Sequence, residues 1–181
     1  MTAIHIMILL VCSCVSLSSA SLAEPQCHSN DRYHVVAQPY PDDAGNQFAV
    51  TRLHGAAPAR CVFEDSRADL VIGKAGDPLW YADLSGDSLI LSRSTGPQGD
   101  LVVYDLKSGK PILDVPSDEY ELKKNSLSFW QRTAPATAET CPAFAENEAN
   151  GLGSVTAVLK TLNLRTREVA ETGESKCVAV Q

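Results

Sequence analysis

The sequence predicts a mainly β protein: an antiparallel sandwich or curled sheet of hairpins, with one short peripheral helix and two disulfides. Three observations carry that expectation. Short runs of β-branched and aromatic residues recur between turn residues. A single stretch has helix punctuation at both ends. Beyond residue 23 the cysteines come to an even number: Cys27, Cys61, Cys141 and Cys177. A chain of 181 residues, 44% hydrophobic and 20% charged, is of a size and composition for one folded domain.

Residues 1–23 contain no Lys, Arg, Asp or Glu, and they run apolar from Ile4 to Leu17 before turning small at Ser18-Ser19-Ala20-Ser21-Leu22-Ala23. An apolar stretch followed by small residues is the pattern of a signal peptide, with cleavage after Ala20 or Ala23. The basic residues that usually open such a segment are missing. An uncleaved anchor is one rival, although the run falls short of the roughly 20 apolar residues that span a bilayer. Lipidation at Cys14 is another, poorly served by Val11-Cys12-Ser13 before it. Residues 24–181 then form a single β-rich domain, periplasmic or secreted, with no membrane insertion after cleavage.

The strands follow in order. Residues 32–37 and 47–53 flank the turn-rich Pro39-Tyr40-Pro41-Asp42-Asp43-Ala44-Gly45-Asn46, and 61–63 and 69–72 come next. Residues 79–83 and 88–92 turn through Ser85-Gly86-Asp87. The clearest hairpin joins 100–106 to 110–115 across Lys107-Ser108-Gly109, where glycine fills a left-handed position. Pro111 has no N–H to give a neighbour, which places the second of these strands at a sheet edge. Residues 119–122 and 126–130 meet across Lys123-Lys124-Asn125, and 155–164 and 168–170 across Arg165-Thr166-Arg167. The helix spans 142–150, with Thr140 or Cys141 as cap, Pro142 near its first position and Gly151 as its stop. The Tyr104-Asp105 hairpin with Ser108-Gly109-Lys110 in its turn resembles a strand pair of a β-propeller blade. The chain is too short for four blades of about 40 residues, so the likeness is local.

Cys12 and Cys14 leave with the first segment. The remaining four cysteines allow three disulfide connectivities. Sequential pairing, Cys27 with Cys61 and Cys141 with Cys177, closes two loops of similar size. Zinc is the competing use, but there is no Cys-x-x-Cys and metal-ligand spacing is absent. No cofactor is expected.

Lys and Arg total 15 against 22 Asp and Glu, a formal charge of −7. That sign is wrong for binding nucleic acid or anionic lipid. Gly86-Asp87-Ser88-Leu89 spells the GDSL esterase motif, yet every histidine (His5, His28, His34, His54) precedes Ser88, whereas that family's base follows its serine. The expected reading is a turn at Gly86-Asp87 with Ser88 opening a strand. His28, His34 and His54 are in no metal-binding spacing. Asp42-Asp43, Asp83 with Asp87, Asp118-Glu119 and Glu146 with Glu148 read as solvated turn charges. An EF-hand loop from Asp83 would place Ser94 where the bidentate Glu belongs. Lys107-Ser108-Gly109-Lys110 lacks the glycine spacing that cradles phosphate. No catalytic residues emerge, and the chain is expected not to be an enzyme.

What remains is a loop, Ser92-Arg93-Ser94-Thr95-Gly96-Pro97-Gln98-Gly99, between two clear strands. It is longer than a tight hairpin needs and its Gly and Pro residues shape its backbone. Ser92, Arg93, Ser94, Thr95 and Gln98 are its candidate partner-binding residues. Trp80, Tyr81, Phe129 and Trp130 are expected in the core, or else lining a small-ligand pocket.

Ser94-Thr-Gly-Pro97 ahead of Val103-Tyr-Asp-Leu-Lys-Ser-Gly-Lys110, then Phe129-Trp130, Cys141-Pro142, Gly151-Leu-Gly153 and Lys176-Cys177, resemble a family of small exported bacterial β-proteins of unassigned function. In layout, the strand-loop-strand unit ending in Tyr104-Asp105 also resembles periplasmic inhibitors and immunity proteins of cell-wall hydrolases. That resemblance implies a non-enzymatic binding or inhibitor protein of a cell-wall hydrolase, with residues 92–99 as the inserted loop, and the acidic charge would steer it toward a basic partner. The alternatives are a structural or small-ligand-binding envelope module, and a serine hydrolase built on Ser88.

Overall fold

The computed structural model describes residues 24–55 and 60–181, so the expected signal segment lies outside the described residues. Twelve strands among them pair into three four-stranded antiparallel sheets. Each sheet is an up-and-down meander in which consecutive strands are neighbours. The first holds β1 (Gln26–Ser29), β2 (Tyr33–Pro39), β3 (Asn46–Arg52) and β4 (Leu70–Ile72). The second holds β5 (Leu79–Ser85), β6 (Ser88–Arg93), β7 (Asp100–Asp105) and β8 (Lys110–Pro116). The third holds β9 (Tyr120–Lys123), β10 (Ser126–Pro135), β11 (Gly153–Asn163) and β12 (Val169–Val180).

The sheets stack in three layers, with the second in the middle. Leu89, Leu91 and Val102 point one way, into a core with Tyr33, Val35, Phe48, Val50 and Ile72 of the first sheet. Ile90, Leu101 and Val103 point the other way, against Leu127, Phe129 and Leu162 of the third. Alternate residues of a strand face opposite sides, so a strand covered on both needs unbroken apolar runs. Leu89-Ile90-Leu91 and Leu101-Val102-Val103 are such runs. In β10, Leu127 and Phe129 alternate with Ser126 and Ser128, because one face only meets the second sheet.

The hairpin turns form where expected. Gly109 has φ +69°, and Lys124 and Arg167 occupy the same left-handed region in the two later hairpins at some conformational cost. Pro111 lies on β8, which is an edge strand. The disulfides pair sequentially, Cys27 with Cys61 and Cys141 with Cys177.

Three expectations fail locally, and one strand was not foreseen. Residues 61–63 are not a strand: Cys61 is held by its disulfide to Cys27 on the edge strand β1, and the segment makes no ladder with it. β1 was not legible from its sequence, having only four residues with two polar ones exposed. The helix α1 (Phe144–Ala149) is shorter than expected and Ala143 precedes it with no side-chain cap. The Thr140 hydroxyl instead accepts from the Thr137 amide at 2.9 Å, closing the turn before the helix. Finally β12 runs on to Val180, since its length is set by pairing with β11 rather than by its own polar, exposed sequence.

Candidate functional site

The loop proper spans 94–99, and within the 92–99 segment every singled-out polar residue but Thr95 is turned at least partly inward. Ser92 and Arg93 still belong to β6, paired with Leu101 and Asp100. The Arg93 guanidinium donates to Asp77 at 2.7 Å and Asp114 at 2.6 Å, with Asp100 at 3.4 Å. The hydrogen bond to Asp114 and the surrounding carboxylates raise its pKa further against the opposing effect of burial. Arg93 thus ties the approach to β5, β7 and β8 into one corner.

Ser94 is the staple of the loop. Its Oγ lies 2.6 Å from the Gly96 carbonyl and 3.0 Å from the Gln98 carbonyl, and accepts the Gly96 N–H at 3.0 Å. Its amide donates to Pro78 O at 3.1 Å. A side-chain hydroxyl bonded to nearby backbone mimics a backbone turn and fixes the chain path. The indole N–H of Trp80 donates to the Ser94 carbonyl at 2.9 Å, while the ring stays 41% exposed.

The loop closes on the third sheet. The Gly99 amide donates to Asp118 Oδ1 at 2.5 Å, and its carbonyl accepts from Arg132 Nη2 at 2.5 Å. Arg132 also engages Asp118 through Nη1. Glycine is required here, because a Cβ at Gly99 would sit 2.6 Å from the Arg93 carbonyl oxygen. The Gln181 amide donates to Gln98 Oε1 at 3.2 Å, so the C-terminal residue lies against the loop. Between them opens a groove of about 340 Å3 lined by Gln98, Arg132, Thr133, Ala134, Pro135, Val155, Val180 and Gln181.

Of the five residues singled out, Thr95 alone is exposed, at the tip beside Gly96 and Pro97. Gln98 reaches the groove, whereas Ser92, Arg93 and Ser94 support the loop from below. Two expectations are corrected here: Trp80 is not in the core but 41% exposed, and Asp118 is not a free turn charge but is clamped by Arg132 and the Gly99 amide. Sequence reasoning missed Arg132 and the groove residues other than Gln98. Trp80 was findable: Leu79 is fully buried, and alternation along a strand turns the next residue outward.

The other singled-out residues fall elsewhere. Ser88 opens β6 and is 3% exposed, while Asp87 beside it binds Arg32 at 2.9 Å and Lys107 at 2.7 Å. Tyr81 and Phe129 pack in the cores as expected. Trp130 lies half-buried beneath Lys176, whose Nζ is 4.5 Å from the ring centroid. His28 stacks on Tyr81 with ring centroids 3.3 Å apart. No helix among the described residues is long and apolar enough to cross a membrane.

Comparison with known proteins adds no relative: no family model, no curated protein and no solved structure matches this chain.

Proposed function

We propose that this protein is exported and acts as a non-enzymatic inhibitor, docking the 94–98 loop into the cleft of a basic cell-wall hydrolase. The observation that carries the reading is the Ser94 staple. A loop already fixed in shape loses little conformational entropy when it binds, and that saving appears directly as affinity. Thr95, Gly96 and Pro97 form an exposed tip that can enter a partner's cleft. The exposed Trp80 ring beside it and the groove at Ala134, Pro135 and Val180 supply apolar contact of the kind that anchors interfaces.

Charge and compartment support the same reading. The net charge of −7 attracts a cationic partner and speeds its encounter. Two disulfides fit an oxidising compartment such as the periplasm or the extracellular space.

The test is a turbidity assay on cell-wall suspensions. Purified protein is titrated against a lysozyme, a lytic transglycosylase and a wall amidase. Stoichiometric loss of lysis with one of them is expected, relieved at least tenfold by Thr95→Arg, a bulky cation at the loop tip. If all three enzymes run at full rate with excess protein, or if Thr95→Arg inhibits as well as the wild type, the reading fails.

A further inference from the structure

The outer face of the first sheet carries a second, separate concavity. Residues 60–67 cross this face as a strap, held at one point by the Cys27–Cys61 disulfide with its Cα atoms 5.7 Å apart. Beneath the strap lies a cavity of about 380 Å3, in the size range of small-molecule sites. Val36 and Ala49, both 4% exposed, form its floor, and Val62 of the strap lines it while remaining 51% exposed. A large apolar side chain left half in solvent over an apolar floor is an unfilled contact.

Two polar groups around this space, one ring nitrogen of His34 and the Arg60 guanidinium, are unspent among the described residues. His34 lines it and is 4% exposed. Its Nδ1 is 2.7 Å from Ser29 Oγ, while its Nε2 is buried without a hydrogen-bond partner among the described residues. The tautomer in which Ser29 donates to Nδ1 leaves the proton on Nε2, and that is the form an acceptor beside it would select. Buried polar groups in folded proteins nearly always have a partner, so an orphan one is a sign of something still to bind. Arg60, also on the lining, forms no ion pair among the described residues. Glu64 is the one carboxylate on the lining, and Arg67 already engages it at 3.0 Å. The free cation therefore has no anion of its own.

We infer that this cavity binds a small amphipathic carboxylate, its apolar body on Val36, Ala49 and Val62 and its carboxylate at Arg60 and the His34 edge. The site is independent of the loop, since it lies on the first sheet while the loop closes on the third. A guanidinium with an imidazole N–H is a matched donor set for a carboxylate, and the apolar floor selects against small hydrophilic anions.

Calorimetric titration of the full chain with octanoate, octylamine and octanol tests this. Saturable one-to-one binding of octanoate with Kd below about 1 mM is expected, with octylamine and octanol at least tenfold weaker. Arg60→Gln should weaken octanoate about tenfold, and Ala49→Leu, which fills the floor, should abolish it while a cooperative thermal transition is kept. Thr95→Ala should bind octanoate as the wild type does. Absence of saturable octanoate binding, equal binding of octylamine, or full affinity in Arg60→Gln would each overturn the inference.

Discussion

Arg93 and Thr95 are two residues apart in the sequence and have opposite relations to the rest of the molecule. The first sits among three carboxylates with a quarter of its side chain exposed; the second projects into solvent. Removing Arg93 leaves Asp77 and Asp114 facing each other without their shared cation. Arg93→Ala is therefore expected to lower stability by about 2 kcal/mol, less than the loss for a fully buried pair because solvent screens part of it. Thr95→Ala is expected to change stability by less than about 0.5 kcal/mol. Urea denaturation of both variants gives the two midpoints. Equal midpoints would mean that Arg93 is not structural. From the sequence alone the two residues looked alike, as polar members of one loop, because residue type says nothing about which neighbours a side chain finds.

The loop as an element depends on two glycines in different ways. Gly99 is packed so closely that an added Cβ would lie 2.6 Å from Arg93 O and 2.8 Å from Ser94 Cβ. Gly96 has nothing within 4 Å of the same position. Gly99→Ala should thus cost about 1–3 kcal/mol through forced displacement of backbone, and Gly96→Ala should leave the melting temperature close to that of the wild type. Scanning calorimetry on the pair decides it, and an unaffected Gly99→Ala would show that the loop base is looser than its contacts imply. The turn chemistry of most hairpins was legible because it is local: Gly109, Pro111 and Gly86-Asp87 act on their own backbone. β12 and the strap were not. Strand pairing decides the length of the first, and a disulfide to a distant residue decides the path of the second.

Across the whole molecule, buried or half-buried ion pairs join one layer to the next. Asp87 on the second sheet binds Arg32 beside the first, and Asp105, 3% exposed, accepts from Ser108 Oγ at 2.5 Å and from Arg167 of the third-sheet hairpin at 2.6 Å. Burial alone would raise both carboxyl groups, but the Ser108, Lys107 and Arg partners outweigh it and hold them below the ordinary 3.8. Each therefore adds stability above pH 3.8 that is lost as the pH falls through its folded value. Burial of His28 lowers its pKa below 6.5, so a separate loss begins as the pH falls from 6.5. Stability measured from pH 8 to pH 2 should decline in those two stages, and Asp105→Asn, less stable at neutral pH, should flatten the acid stage. An unchanged acid slope in that variant would remove Asp105 from the account. By itself the sequence determined the β class, most of the turns, the helix location and the four cysteines available to pair, since composition, alternation and turn residues express local physics. The tertiary structure alone decided the three-layer stacking, the selection of one disulfide pairing from three, and the inward use of Ser94 and Arg93. These depend on contacts between residues far apart in the chain, where a polar side chain has many partners it could meet and the packed core selects one.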